Sequence, residues 1–313
     1  MLFPLLIGAL IRTIFPGLFT MPAFTSSFTG GLFTGILPLL AAFYVCLGST
    51  IQFKSTGQIV KKGLALWAGK ILTAFLIALL IRSIFPNQNN LFLGLSALAI
   101  VASFTDTNGG LYMALLGQIS NKSEDVAAYS IMSVESGPFF TMLILGLTGL
   151  AHFPLLSFVF ALLPLTIGMI LGNLDADMRK FLSKGVDVLI PMFALALGCT
   201  INLVDVVKSG FSGILLGLAV VLITGVVLYF LDKLTGGNGV AGVAASSTAG
   251  NAAAVPVAVA AVFAGYKSIA ATATLQVTAA VIVTAILTPI LTAWLAKRVQ
   301  KEAYAKNLSE SVQ

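Results

Sequence analysis

Two runs of small polar residues, Ser103-Phe104-Thr105-Asp106-Thr107-Asn108-Gly109-Gly110 and Ser246-Ser247-Thr248-Ala249-Gly250-Asn251, sit inside long apolar stretches of the chain. Their hydroxyls and amides, from Thr105, Thr107, Asn108, Ser246, Ser247, Thr248 and Asn251, suit the hydrogen-bonding groups of a polyol. A helix broken at such a run also exposes half-helix N-termini, whose free N–H groups and positive dipole ends suit an anion. Asp106 lies within the first run, and Glu135 lies in Ser133-Val134-Glu135-Ser136-Gly137-Pro138. A carboxylate at membrane depth is costly unless it is paired, protonated or bound to an ion, so both are candidates for binding a coupling ion. A helix cap for Asp106 and a shallow interfacial position for Glu135 are the plainer alternatives.

Lys70 is the one basic residue deep in an apolar segment, Leu66-Trp67-Ala68-Gly69-Lys70-Ile71-Leu72-Thr73. Two readings stay open for it: a counter-ion or substrate contact at the same site, or snorkelling toward the membrane surface near Lys61 and Lys62. The candidate solute-binding set is therefore Thr107, Asn108, Gly109, Ser247, Thr248, Asn251 and Lys70. The candidate ion-coupling set is Asp106, Glu135 and Gln276, the last because it stands opposite Glu135 in the other half of the chain or else makes only an interhelical hydrogen bond.

The elements that must position these residues are membrane helices. Of the 313 residues 58% are hydrophobic and 9% charged, the mean hydropathy is +1.04, and the apolar runs reach lengths that cross a hydrocarbon core. A β-barrel would show short alternating segments instead. Ten segments are expected: Met1–Phe15, Gly31–Ile51, Gly63–Phe85, Leu91–Gln118, Val126–Leu150, Phe153–Leu171, Val186–Leu203, Gly210–Leu231, Gly239–Ala264 and Ile269–Leu295. The fold class is an all-α polytopic membrane protein. The first segment is short and carries Arg12, and it lacks the basic lead and small-residue site of a cleaved signal peptide.

Lys and Arg cluster on the side shared by both termini (Lys54, Lys61, Lys62, Lys122, Arg179, Lys180, Lys184, Lys233, Lys297, Arg298, Lys301 and Lys306), against Arg12, Arg82, Lys208 and Lys267 opposite. Both termini are therefore expected in the cytoplasm. The net charge of +6 reflects this bias rather than a nucleic-acid partner.

The chain also repeats. Phe3-Pro4-Leu5-Leu6 recurs as Phe153-Pro154-Leu155-Leu156 and Leu47-Gly48-Ser49-Thr50-Ile51 as Leu197-Gly198-Cys199-Thr200-Ile201, both displaced by 150 positions, while Asn108 and Asn251 are 143 apart. Five helices per half is odd, so residues 1–150 and 151–313 are expected to form two inverted repeats, with helices four and nine as a broken, crossing pair. That is the plan of a secondary transporter for a small, polar, anionic solute.

Other chemistry finds no support. His152 is the sole histidine, Cys46 and Cys199 fall on apolar segments as packing residues, and no metal or cofactor set is expected. Without a Gly-x-x-x-x-Gly-Lys-Ser/Thr loop, an ATP-driven pump is disfavoured. A channel would need no paired breaks with a titratable group, and an intramembrane enzyme would need a nucleophile with its base or a metal. Gly31/Gly35 and Gly213/Gly217 are expected to permit close helix packing.

Four stretches carry a family likeness: Asp106-Thr107-Asn108-Gly109-Gly110-Leu111-Tyr112, Glu135-Ser136-Gly137-Pro138, Leu171-Gly172-Asn173-Leu174-Asp175 and Ala244-Ala245-Ser246-Ser247. With them the whole chain resembles the bacterial 2-keto-3-deoxygluconate permeases. The resemblance implies proton-coupled uptake of that sugar acid across the bacterial inner membrane, although the site's oxygens leave sodium open as the coupling ion. A more distant resemblance to the bile acid sodium symporter fold implies a core domain and a panel domain. Met1 falls directly in the first apolar segment, where members of the permease family carry a short polar, basic lead.

Overall fold

The computed structural model describes residues 2–52, 57–120, 122–200 and 203–311, and it is helical, with no strand among the described residues. The first segment is α1 (Leu2–Ile14). After the short α2 (Pro22–Thr25), the second is divided into α3 (Phe28–Thr34) and α4 (Ile36–Ser49), which meet at 71° across Gly35. A continuous helix over Gly31–Ile51 was expected; Gly31 instead has open space beside it, and Gly35 marks the bend. The third is α5 (Gly57–Ile84).

The fourth segment contains α6 (Ala97–Phe104), a non-helical stretch over 105–108, and α7 (Gly109–Ile119). Ser96 and Asn108 cap these two half-helices, their side-chain oxygens accepting from Ala99 N and Leu111 N at 3.1 Å each. In the fifth, α8 (Ser123–Ala127), α9 (Tyr129–Met132) and a 3₁₀ turn over Ser133–Glu135 turn by 60° into α10 (Pro138–Leu147). The expected segment Val126–Leu150 is thus not one continuous helix. Gly137 breaks it with φ at 107°, a conformation open to glycine, and Pro138 then starts the next helix where a missing N–H costs nothing.

The second half runs α11 (Leu155–Leu174), α12 (Ala176–Gly198), α13 (Leu203–Leu234), α14 (Val240–Ala244), a 3₁₀ turn over Gly250–Ala254, α15 (Val255–Val262) and α16 (Ala270–Ser311). Because α12 begins earlier than the expected Val186, Arg179, Lys180 and Lys184 stand on helix rather than in a loop. Lys54 lies outside the described residues, as do the side chains of Lys208 and Lys306. Among the described residues five helices are long and apolar enough to cross a membrane, seven if each bent pair is one span, and Phe3–Ile14 and Gly250–Val262 are shorter apolar helices. The chain is a multi-pass membrane protein.

Packing divides the helices into two groups. In the first, α1 lies on α12 and α4 lies on both α11 and α12. Glycines allow the approach: a Cβ at Gly8 would sit 2.3 Å from Leu195 O, at Gly198 2.1 Å from Leu5 O, at Gly48 2.2 Å from Leu165 O and at Gly168 2.0 Å from Val45 O. Contacts this short between backbones are the small-residue packing that lipid, with no hydrophobic drive of its own, rewards. In the second group α5, α13 and α16 surround the broken segments, with Gly213 and Gly217 set against Gln276 and Ala280 of α16.

Candidate functional site

The two polar breaks meet in the middle of the second group. Ala249 N donates to Asp106 O at 3.0 Å, Thr248 Oγ1 to Ser103 O at 2.9 Å, and Asn108 N to Ser247 Oγ at 3.2 Å. Each unwound stretch thus satisfies backbone groups of the other, which is the condition for irregular chain at membrane depth. Helix α16 completes the frame: Thr284 Oγ1 accepts from Thr248 N at 3.1 Å and Thr288 Oγ1 donates to Ser246 O at 2.9 Å.

The third break, in segment five, brings in the carboxylates. Thr107 N donates to Glu135 Oε1 at 2.7 Å, Ser136 Oγ to Asp106 Oδ1 at 3.3 Å, and Asn251 Nδ2 to Asp106 Oδ2 at 2.7 Å. Asp106 and Glu135 are each 1% exposed, and Glu135 Oε2 has no hydrogen-bond partner among the described residues. Lys70 is fully enclosed; its Nζ donates to Asp106 O at 3.1 Å, Thr107 Oγ1 at 3.0 Å, Ala245 O at 3.4 Å and Ser247 O. Its ammonium therefore turns inward to the meeting point and not to the membrane surface.

Of the residues singled out from sequence, Lys70, Asp106, Thr107, Asn108, Gly109, Glu135, Ser247, Thr248 and Asn251 converge. Gln276 does not: its Nε2 donates to Gly94 O at 2.8 Å and Ser212 Oγ at 3.2 Å, two helical turns along α16 from Thr284. At about 1.5 Å per residue that is roughly 12 Å from the site. The group that answers Glu135 across the meeting point is Thr284, since each accepts a break N–H, from Thr107 and Thr248 respectively. A period of four, Thr284, Thr288 and Thr292, was the available signal in sequence.

Exposure separates the converging residues further. Thr107, Ser247 and Thr248 are fully buried, and Gly109 is covered by the Tyr129 ring, whose Cζ would lie 1.9 Å from an added Cβ. Asn108 and Asn251 are half-buried and Gly110, in the first turn of α7, is exposed. Tyr44 of α4, absent from the sequence reading, stands beside Asn251 and against Gly137. From it a cavity of about 310 Å³ opens between α4 and α11 on one side and α10 and α15 on the other, lined by Leu40, Tyr44, Pro138, Met142, Phe160 and Ala258 among others. It separates the two packing groups and is of a size that holds a small solute.

A polytopic helical protein whose interrupted helices meet around buried carboxylates and one ammonium, beside a cavity between two helix groups, has the construction of a membrane permease. Over residues 1–301 the chain matches the family described as KdgT: 2-keto-3-deoxygluconate permease, and it belongs to that family. It is 45% identical over 306 residues to the 2-keto-3-deoxygluconate permease of Bacillus subtilis (strain 168), covering 96% of this chain and 92% of that one. The protein of the same name from Escherichia coli (strain K12 / DH10B) is 45% identical over 307 residues, covering 97% and 93%. The chain is accordingly a transporter and not an enzyme.

Proposed function

We propose that the chain takes up 2-keto-3-deoxygluconate together with protons across the bacterial inner membrane, by alternating access, with both termini in the cytoplasm. The observation that carries the reading is the joining of each break to a buried carboxylate, Thr107 N to Glu135 and Asn251 to Asp106, in a chain of this family. A proton arriving at either carboxylate alters the bonds that hold the two breaks together, and so couples ion binding to the shape of the site. The moving parts are the group α1, α4, α11 and α12, a panel, and the remaining helices, a core; the cavity at Tyr44 lies on their boundary.

Paired packing contacts support ten spans in two inverted halves, 1–150 and 151–313. Gly8 against Leu195 is matched by Gly168 against Val45, and Gly48 against Leu165 by Gly198 against Leu5. The partners of α4 recur 150 positions later in α12, whereas those of α1 recur 160 later in α11. The Phe3-Pro4 and Phe153-Pro154 match at 150 is thus out of register with the packing. In the core, a Cβ at Gly63 would lie 2.8 Å from Ala128 O and one at Gly213 2.8 Å from Gln276 O.

Within the site, Thr107, Gly109, Ser247 and Thr248 serve as frame, while Asn108, Asn251 and the first turn of α7 meet the sugar acid. Asn108→Ala and Asn251→Ala should each weaken binding about five- to a hundred-fold, the effect of losing a buried polar contact. Equal affinity in both variants and the wild type, measured by titration calorimetry, would put the site elsewhere. The reading as a whole is tested by proteoliposome uptake with a panel of sugar acids. Accumulation of 2-keto-3-deoxygluconate under an imposed pH gradient is the expected result, and accumulation driven only by a sodium gradient would replace the proton with sodium.

A further inference from the structure

We propose that Lys70 is the resident cation of the meeting point: its ammonium fills, on a tether, an oxygen cage that a free monovalent cation would otherwise occupy. Four oxygens surround Nζ, the carbonyls of Asp106, Ala245 and Ser247 and the hydroxyl of Thr107, and they come from both breaks. Helix α6 ends at Phe104 and α14 at Ala244, so two half-helices direct their negative ends at the same point. Neutral carbonyl and hydroxyl oxygens at converging helix ends are the ligands that replace a monovalent cation's hydration shell.

The carboxylates do not hold this ammonium directly. Among the described residues no ion pair includes Lys70, whereas Lys62 and Arg298 have theirs. Its direct partners are dipoles, and the carboxylates of Asp106 and Glu135 act on its charge from the layer behind them. A compact ammonium is a point charge, as an alkali ion is, and it cannot leave. At the position 150 residues later in the second half stands Val220, buried and apolar, so the meeting point holds one such charge. Ion exchange is thereby removed from the cage and left to other groups. This assignment goes beyond the transport reading and is independent of its solute, and only its wild-type control rests on the proton as driving ion.

The test is thermal melting of purified protein in sodium chloride and in choline chloride at equal ionic strength. Wild type should melt alike in both. Lys70→Ala removes the tether and empties the cage, and sodium should raise its melting temperature by about 5 °C over choline, as a ligand present well above its dissociation constant does. Lys70→Gln fills most of the stem and keeps two N–H donors without charge; it should melt below wild type in both salts, with no response to sodium. An Ala variant that behaves alike in sodium and choline, including one unfolded in both, overturns the proposal. So does a Gln variant within about 2 °C of wild type, because hydrogen bonding alone would then hold the breaks.

Discussion

Proteoliposomes carrying Glu135→Gln should still exchange labelled for unlabelled 2-keto-3-deoxygluconate but should no longer concentrate it when an inward pH gradient is imposed. The two carboxylates of the site are not equivalent. Asp106 is bonded through both oxygens, to Ser136 and Asn251, whereas Glu135 accepts from Thr107 N through Oε1 and leaves Oε2 without a hydrogen-bond partner. A buried, half-bonded carboxylate is the group whose charge is most readily exchanged for a proton, and Gln keeps the Oε1 contact while fixing the neutral state. Asp106→Asn should be harsher, reducing exchange as well as accumulation. The Ser136 hydroxyl can turn to accept from the new amide, but Asn251 Nδ2 then faces a neutral carbonyl in place of a carboxylate, a weaker bond between the two breaks. The assay compares counterflow with gradient-driven uptake at matched protein content. Accumulation by Glu135→Gln at the wild-type level would show that the proton is carried elsewhere, and the same result for both variants would remove both from the coupling role.

The breaks were legible from sequence because lipid makes them so: a polar run inside an apolar span announces backbone that protein must satisfy. Asp106, Asn108 and Asn251 followed from that alone. Lys70 stood between the site, with Asp106 or Glu135 as counter-ion, and the membrane surface; its actual acceptors were not legible, since three of the four are main-chain carbonyls, which carry no residue identity. Gln276 was named for its place opposite Glu135 in the other half of the chain, and Thr284 carried no such mark. What decides is the level along α16, and the site lies at Thr284 and Thr288, two turns beyond Gln276. The third break was present as Ser136-Gly137-Pro138, a helix-stopping pair read only as the surroundings of Glu135. Tyr44 gave no signal, because its meaning comes from the packing of α4 beside α10 and α15, a relation between distant segments. The burial of Lys62 gave no sign for a general reason: near the end of a span, a lysine reads as part of the one-sided loop charge. Its partners lie 63 and 170 positions away.

That lysine carries the largest expected effect on stability. Lys62 Nζ pairs with Asp125 Oδ1 and lies 3.0 Å from Asp232 Oδ1, with side-chain exposures of 2%, 12% and 1%. The remaining oxygens are engaged, Asp125 Oδ2 accepting from Ser120 Oγ at 2.6 Å and Asp232 Oδ2 from Gly239 N at 2.8 Å. Tyr112 Oη donates to Asp125 O at 2.7 Å. The cluster thereby joins α5, α7, α8, α13 and the N-cap of α14, all within the core group, and holds the outer ends of the half-helices that meet at Asp106. One positive charge faces two negative ones, so removing the lysine leaves two carboxylates buried side by side. Lys62→Met should destabilise the protein by about 3–5 kcal/mol, the range for an uncompensated buried ion. Asp125→Asn should cost far less, because it leaves one balanced pair, and the Ser120 hydroxyl can turn from donor to acceptor for the new amide. The measurement is the melting temperature of both variants in the same detergent, with a fall of roughly 10 °C expected for Lys62→Met and a few degrees at most for Asp125→Asn. Because the side chains of Lys62 and Asp125 bond to neither Asn108 nor Asn251, solute affinity in the surviving folded fraction should stay at the wild-type value. If Lys62→Met melts with the wild type, the lysine is not the charge that holds these two aspartates together. If Asp125→Asn is the more damaging of the two, the cluster depends on its acceptors rather than on its balance of charge.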